Sequence, residues 1–516
     1  MGMMRCVSAV VLVLMASTSG ASLHAGRMHF MARPRGHRLH VGGPPVLSVA
    51  PESKDGQEAR SAIRTSSVNL AKNIICGGFL SLPAGVAACA RTPTPLTLLP
   101  GSVLLLGMGV LSAYCFGLIG RTCALMREPT YQGAWRRAVG KRGSRWVAIS
   151  LSAKTGATCL SYSMILADMV AQISGWPRAI ALLATTGTTL LPLCLIDTSK
   201  TFKLLKYSSA IGLGATGFVV GVMGLRWGTR AYASGGHLLA AVPPELQPQF
   251  GGGGLASTAL FGGISPRLAI FISMLATAFM AHYNAPAFLR DSAGLSVEEE
   301  KGADGTTTAR LSAPTAEGLA RFHTTVALSF SVSALTFLAV AAFGYLTFGG
   351  AAAGNVLTNY ARTDGLAVGA RAAIAVSLLA GYPLAFANLQ KSCCDALAAT
   401  RVPLPPRAVS LCLLGMLTAS ASVLTDLGFV SAFAGALLGS AIIYVYPSIM
   451  FRRALLTTVL SERQAAPLDA SSNPDHLPSD RRLRIEAALA QLITAAGVAL
   501  MVLGGGVVAL KKLGGS

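Results

Sequence analysis

Asn69-Leu-Ala-Lys-Asn-Ile-Ile-Cys-Gly-Gly-Phe-Leu-Ser-Leu-Pro83 is the stretch on which the fold turns. It lies in an apolar run of membrane-helix length, yet a glycine pair sits in its middle and Pro83 beyond it. That is where a helix would open. A second run of the same kind contains Ala281-His282-Tyr283-Asn284-Ala285-Pro286. Polar side chains interrupt it, and Pro286 removes a backbone donor. Irregular backbone at membrane depth is tolerated only where it faces protein or a watery cavity.

Working outward from these runs, apolar segments recur along the chain. They predict eleven spans, near 66–90, 97–120, 146–173, 177–196, 204–225, 264–289, 322–349, 366–392, 406–424, 427–450 and 484–510. Hydrophobic residues make up 52% and charged residues only 12%, against roughly a quarter charged in a soluble domain. The mean hydropathy of +0.57 agrees. The fold class is therefore an all-α integral membrane protein embedded in a lipid bilayer. Segments 226–263, 290–321 and 451–483 read as mobile loops rather than extra domains.

The broken runs are spans 1 and 6, corresponding members of two five-span halves. Interrupted helices at matched positions of inverted halves are the best sequence pointer to a transporter binding site. An opened helix frees N–H groups that hold a carboxylate and C=O groups that hold an amine or a cation. An amino acid offers both charges. A single break would be read as an ordinary glycine or proline kink; two at matching positions point to function.

The net charge of +21 does not indicate nucleic acid. Lys and Arg sit in short loops between apolar runs, where they set topology. The densest loop holds Arg121, Arg127, Arg136, Arg137, Lys141, Arg142 and Arg145. The bias places the start of span 1 on the cytosolic face, or on the equivalent stromal face. The ten Cys are scattered, with no disulfide or zinc spacing. No cofactor is implied.

At the N-terminus, Arg5 precedes an apolar stretch and then Ser19-Gly20-Ala21, the form of a signal peptide over 1–21. Residues 22–61 read as a basic, disordered, transit-like leader; no Asp or Glu occurs before Glu52. Leaders of this two-part kind resemble those of proteins entering complex algal plastids. The alternative is an ordinary signal peptide with a basic tail. Localisation is accordingly a plastid envelope, or else an endomembrane or plasma membrane. A cleaved signal alone would leave the new N-terminus in a lumen, against the charge bias; onward import would agree with it.

Asn69-Leu70, Gly78, Leu80 and Leu82-Pro83 resemble the first-helix signature of the amino acid/auxin permease family. Tyr131, Gly140 and Gly143 fit that family's loop between spans 2 and 3. Gly344-Tyr345-Leu346-Thr347-Phe348-Gly349, with Asn355 downstream, is similar to its most specific stretch. The resemblance covers 62–510. It implies a LeuT-type 5+5 inverted repeat plus one extra helix, and secondary transport of amino acids driven by sodium or protons. It also implies the site: Asn73, Cys76, Gly77 and Gly78 in span 1 and His282, Tyr283 and Asn284 in span 6 against substrate, with Lys72, Ile75, Ser377 and Gly381 at the coupling ion.

There are departures. The family's first-helix Gly-Ser-Gly is here Cys76-Gly77-Gly78, many animal members have Asn where Lys72 stands, and Gly381 replaces a hydroxyl residue before Tyr382-Pro383. In the family fold that hydroxyl helps hold sodium. A lysine within a span is a functional hypothesis by default. Lys72 is therefore expected to put its ammonium in the sodium place, with Ser377 and backbone carbonyls as partners. Burial penalises a charged lysine, so such a group is able to load and release a proton. The alternative is a lysine that snorkels to the interface.

Three further polar residues need placing. Lys154 lies about 12 Å from the basic face by helical rise, either snorkelling or lining a cavity. Asp168 is expected at the interface. His282 is expected to contact substrate or titrate, or else to be a plain cavity residue. An enzyme is disfavoured, because no H-E-x-x-H, paired intramembrane carboxylates or phosphate-binding loop occurs. The remaining alternatives are an amino acid sensor of the same fold and a carrier of another small organic solute.

Overall fold

The computed structural model describes residues 54–90, 92–195, 208–252, 266–301, 307–399, 404–465 and 480–514. The signal peptide and nearly all of the leader lie outside the described residues. The first helix begins at Lys54, ahead of the boundary drawn at 62.

Span 1 is Lys54–Ile74 followed by Leu82–Ala88, with a bend of 50° between Arg60–Ile74 and Gly78–Ala88. Span 2 is Leu98–Met126, span 3 Ser144–Ser174, span 5 Ser208–Gly228, span 7 Ala316–Phe348, span 8 Gly365–Ala399 and span 9 Pro406–Val423. Span 4 runs from Arg178 to Leu195 through one π-helical turn. Span 6 is Pro266–Ala278 and Ala285–Ala293. Span 10 passes from Leu427–Ala434 through a wide π segment, Gly435–Val445, into Tyr446–Ala465. Span 11 begins at Asp480.

Among the described residues, nine helices are long and apolar enough to cross a membrane, ten with the bent pair. Span 3 is not among them, although at 31 residues it has the length. It lacks the apolar density, because Lys154, Asp168 and many hydroxyls lie along it. Its inner face is buried by protein rather than lipid: Val147, Cys159, Met164 and Ile165 are all fully buried. On the outer spans, Leu335, Val423, Leu492 and Val502 are exposed, an apolar girdle suited to lipid.

Two expected loops contain regular structure. Segment 290–321 holds a hairpin, β1 Val297–Lys301 against β2 Thr307–Leu311, with Val297 opposite Leu311. It docks on the end of span 2, where Arg127 Nε donates to the Leu311 carbonyl at 2.8 Å. The run 451–483 is helical as far as Ala465, because span 10 continues past the expected membrane boundary.

Small residues let the helices approach. A methyl group at Gly435 would fall 1.7 Å from the Ser273 carbonyl oxygen, so spans 6 and 10 meet backbone to backbone. Gly344 likewise lets span 7 close on the Pro83 ring, whose Cγ would lie 2.5 Å from a Cβ there. At the end of span 7, Gly349 adopts φ +57° while a Cβ there would lie 2.2 Å from the Gln249 carbonyl oxygen.

Beyond span 7, Asp364 is buried and accepts from Arg226 Nε at 2.9 Å and from the Tyr232 hydroxyl at 2.8 Å. Burial alone would raise this carboxyl, but the hydrogen bonds from Arg226 and Tyr232 outweigh it and hold it below the ordinary carboxylate value. The wholly buried Arg371 donates to the carbonyls of Leu357, Tyr360 and Ala361. These bonds tie the ends of spans 5 and 8 to the connection between spans 7 and 8.

Gly349→Ala is expected to cost roughly 1–3 kcal/mol, since it combines a left-handed backbone with a steric clash. Thermal unfolding in detergent checks this; an unchanged midpoint would contradict the packing described.

Candidate functional site

The two breaks are built alike. In span 1 the α-helix ends at Ile74, Cys76 is extended, and a 3-10 turn, Gly77–Ser81, leads into Leu82–Ala88. In span 6 it ends at Ala278, and a 3-10 turn, His282–Asn284, leads into Ala285–Ala293. Pro83 and Pro286 both fall in the first turn of the second segment. There the missing N–H costs nothing and the fixed φ suits a helix start. The prolines thus begin the new segments, and the openings lie several residues before them.

The breaks meet. A methyl group at Gly78 would lie 3.5 Å from Thr277 Cγ2 and 3.6 Å from Ala278 Cα, an ordinary contact distance. Thr277 in turn donates to the Ser431 carbonyl of span 10 at 2.5 Å. A cavity of about 30 Å³ opens beside them, lined by Cys76, Gly78, Thr277, Lys154, Tyr162 and Leu438 among others. That is room for roughly two waters, well short of an amino acid.

Lys154 is 6% exposed and lines this cavity, so it does not snorkel. Its ammonium sits over the Tyr283 ring, 3.8 Å from the centroid. No hydrogen bond or ion pair to that ammonium occurs among the described residues. A desolvated cation–π contact is worth about 2 kcal/mol, whereas burying an ammonium costs several. Tyr283 alone therefore does not compensate the charge.

Lys72 lies in the last turn of the first half of span 1, where the helix dipole and the freed carbonyls favour a cation. Its Nζ donates to Ser377 Oγ of span 8 at 3.1 Å. The stem crosses span 5 over Gly212, where a Cβ would fall 1.9 Å from Lys72 Cε. A larger residue there would make the lysine stem shift. The side chain thus points inward, between spans 1, 5 and 8. Ile75, three residues on, is buried. Gly381 lies one turn beyond Ser377 and faces Tyr162, whose Cε2 would be 3.9 Å from a Cβ.

The remaining sequence candidates divide. Cys76 and Gly78 line the cavity, and Gly77 begins the turn beside them. Tyr283 is brought to Lys154. Asn73 is half-buried, and its Oδ1 has no hydrogen-bond partner among the described residues. Asn284 sits ahead of the second half of span 6 without a side-chain capping bond. His282 is turned the other way. It is wholly buried, its Nε2 lies 2.9 Å from the Ser112 carbonyl of span 2, and its ring packs edge-on to Phe116 and Phe330. It braces the break from behind. Asp168 accepts from Arg178 at 2.8 Å and from Asn355 at 3.3 Å, closing the far end of span 3.

No residue pattern pointed to Gly212 or Thr277. Both are small residues in glycine- and alanine-rich spans, and only the neighbouring helix shows what they do.

A family model described as transmembrane amino acid transporter protein matches residues 59–244 and 317–471. The chain is similar to amino acid transporter AVT6E of Arabidopsis thaliana, 23% identical over 323 residues, 59% of this chain. It spans 56% of that relative's length. Among solved structures it is similar to a manganese transporter of Eremococcus coleocola, with a TM-score of 0.46 and 12% identity over 89% of this chain and 97% of the other. The inward-facing structure of Mhp1 gives 0.45 and 14%, over 86% and 90%.

His282→Ala is expected to lower stability by roughly 1–3 kcal/mol, by stripping the Ser112 carbonyl of its partner, without altering substrate affinity. Unfolding in detergent and a saturation curve check the two halves. A weakened affinity at unchanged stability would put His282 back in the cavity.

Proposed function

The chain belongs to the transmembrane amino acid transporter family, and from that premise we propose that it carries amino acids across a membrane by alternating access. The observation that carries this reading is the meeting of two opened helices at a small cavity deep in the bundle. Freed amides there suit a carboxylate and freed carbonyls suit an ammonium. The site is too small for its cargo as it stands, so loading requires spans 1 and 6 to move against spans 3 and 10. Rocking one set of helices against the other would open it to either side in turn.

The matching construction of the two breaks, each with a proline in the first turn after it, supports a 5+5 inverted repeat. In that arrangement span 3 is one of eleven crossings, and span 11 stands outside the repeat. The basic loop between spans 2 and 3 supports a cytosolic or stromal start of span 1. With a leader that has no Asp or Glu before Glu52, that orientation favours a plastid envelope.

For coupling, the Lys72–Ser377 contact supports an ammonium in the place of a sodium ion. Gly381 offers no hydroxyl to a metal ion, which agrees. Transport is then proton-coupled or uncoupled, and the substrate-side residues are Cys76, Gly77, Gly78 and Tyr283, with Asn73 and Asn284 at the margins.

Uptake of labelled amino acids into proteoliposomes, under an imposed sodium gradient and then an imposed proton gradient, tests this. Uptake is expected to ignore sodium, and Lys72→Ala is expected to abolish its dependence on pH. Sodium-driven uptake would remove the role given to Lys72 while leaving the carrier. No uptake by folded protein would remove the carrier as well.

A further inference from the structure

We propose that the Lys154 ammonium is the group that receives a carboxylate of the cargo, and so helps to set specificity. The inference rests on the carrier reading above and deepens it. Lys154 is more than nine-tenths buried, lines the cavity at the two breaks, and among the described residues has only the face of Tyr283 against its charge.

The surroundings make an outside anion necessary. The carboxylates of the described spans all stand toward the ends of their helices; among them Asp168 is engaged with Arg178 and Asn355, and Glu486 with Arg121. Lys72, the other inward-pointing lysine, is also a cation, and its partner is the neutral Ser377. Among the described residues, the centre of the bundle therefore holds ammonium groups and no acid. An uncompensated buried cation is costly, and truncating one partner of such a pair leaves the other stranded. An arriving carboxylate supplies the missing charge, and the cavity beside Lys154 is where it would arrive. Tyr283 strengthens the arrangement. It belongs to the opened part of span 6, so the cation is held against a segment that must move on loading.

The carboxylate comes either from the backbone of an amino acid or from an acidic side chain. In both cases the chemistry at Lys154 is a charge-assisted hydrogen bond.

The test uses full-length protein in proteoliposomes, wild type against Lys154→Met and Lys154→Arg. Methionine removes the charge at similar volume, which a buried site tolerates. Uptake of labelled alanine, glutamine and glutamate is measured, with alaninamide as competitor. In Lys154→Met, KM is expected to rise roughly ten- to hundredfold, the loss of one charge-assisted bond, while Lys154→Arg stays much closer to wild type. If the backbone carboxylate is the partner, discrimination between alanine and alaninamide collapses. If a side-chain carboxylate is the partner, discrimination between glutamate and glutamine collapses instead.

A second readout does not need transport. The rate at which a thiol reagent labels Cys76, which lines the same cavity, is expected to fall with substrate in wild type and not in Lys154→Met. Unchanged KM, discrimination and protection in Lys154→Met would overturn the inference and leave the carrier standing. Wild-type protein that neither takes up amino acids nor shows protection would overturn both together.

Discussion

A backbone amide that leaves its helix inside a bilayer must find another partner, since water and lipid head groups are out of reach. That constraint governs this molecule. Two spans open at depth, and each opening is acceptable only because protein closes around it. Gly78 lets the first opening lie against Thr277 and Ala278 at the edge of the second. Gly435 brings span 10 to the backbone of span 6, and Gly344 brings span 7 to Pro83. His282 fills the back of the second break with a bond to span 2. The small residues and the bracing histidine thus serve the same end. They keep unpaired backbone next to protein and free of lipid.

Charge follows from the same constraint. A lysine side chain at this depth needs somewhere to put its ammonium. Lys72 finds the carbonyl end of a helix segment and a serine hydroxyl, reached over a glycine. Lys154 finds an aromatic face and an opening. The ends of the bundle are arranged differently. There, carboxylates meet guanidinium groups directly, as Asp364 does with Arg226 and Asp168 with Arg178. Among the described residues, acid–base pairs stand near the ends, and the two lysines near the centre have no carboxylate partner.

Much of this could be read from the chain alone. Spans of continuous apolarity and the two interrupted runs stand out by composition, and the pairing of Lys72 with Ser377 was open to expectation from a family likeness. Segments whose environment is protein were harder. Span 3 carries Lys154, Asp168 and many hydroxyls because its neighbours are other helices, so it fails a test of apolar density that outer spans pass. The exact positions of the breaks were also obscured, because the prolines that signal them begin the following segments. The direction of a polar side chain at a break depends on the rotation of its helix. His282 and Tyr283 are adjacent in sequence, yet one faces span 2 and the other meets Lys154. No pattern in a single chain distinguishes them. The hairpin at Val297–Leu311 was hidden for a different reason: its strands are short and charged, and they are held by pairing, by Arg127 and by the single buried Leu311 side chain rather than by an alternating apolar face.

The most direct test of the carrier reading is counterflow. Proteoliposomes holding the full-length protein are loaded with unlabelled amino acid and diluted into a trace of the labelled form, with no ion gradient. A carrier whose single site faces the two sides in turn predicts a transient accumulation of label above its outside concentration, driven by the outward flow of unlabelled cargo. Saturable binding of the label with no such accumulation would contradict the account, and would mark the cavity as a receptor site that holds its ligand without moving it.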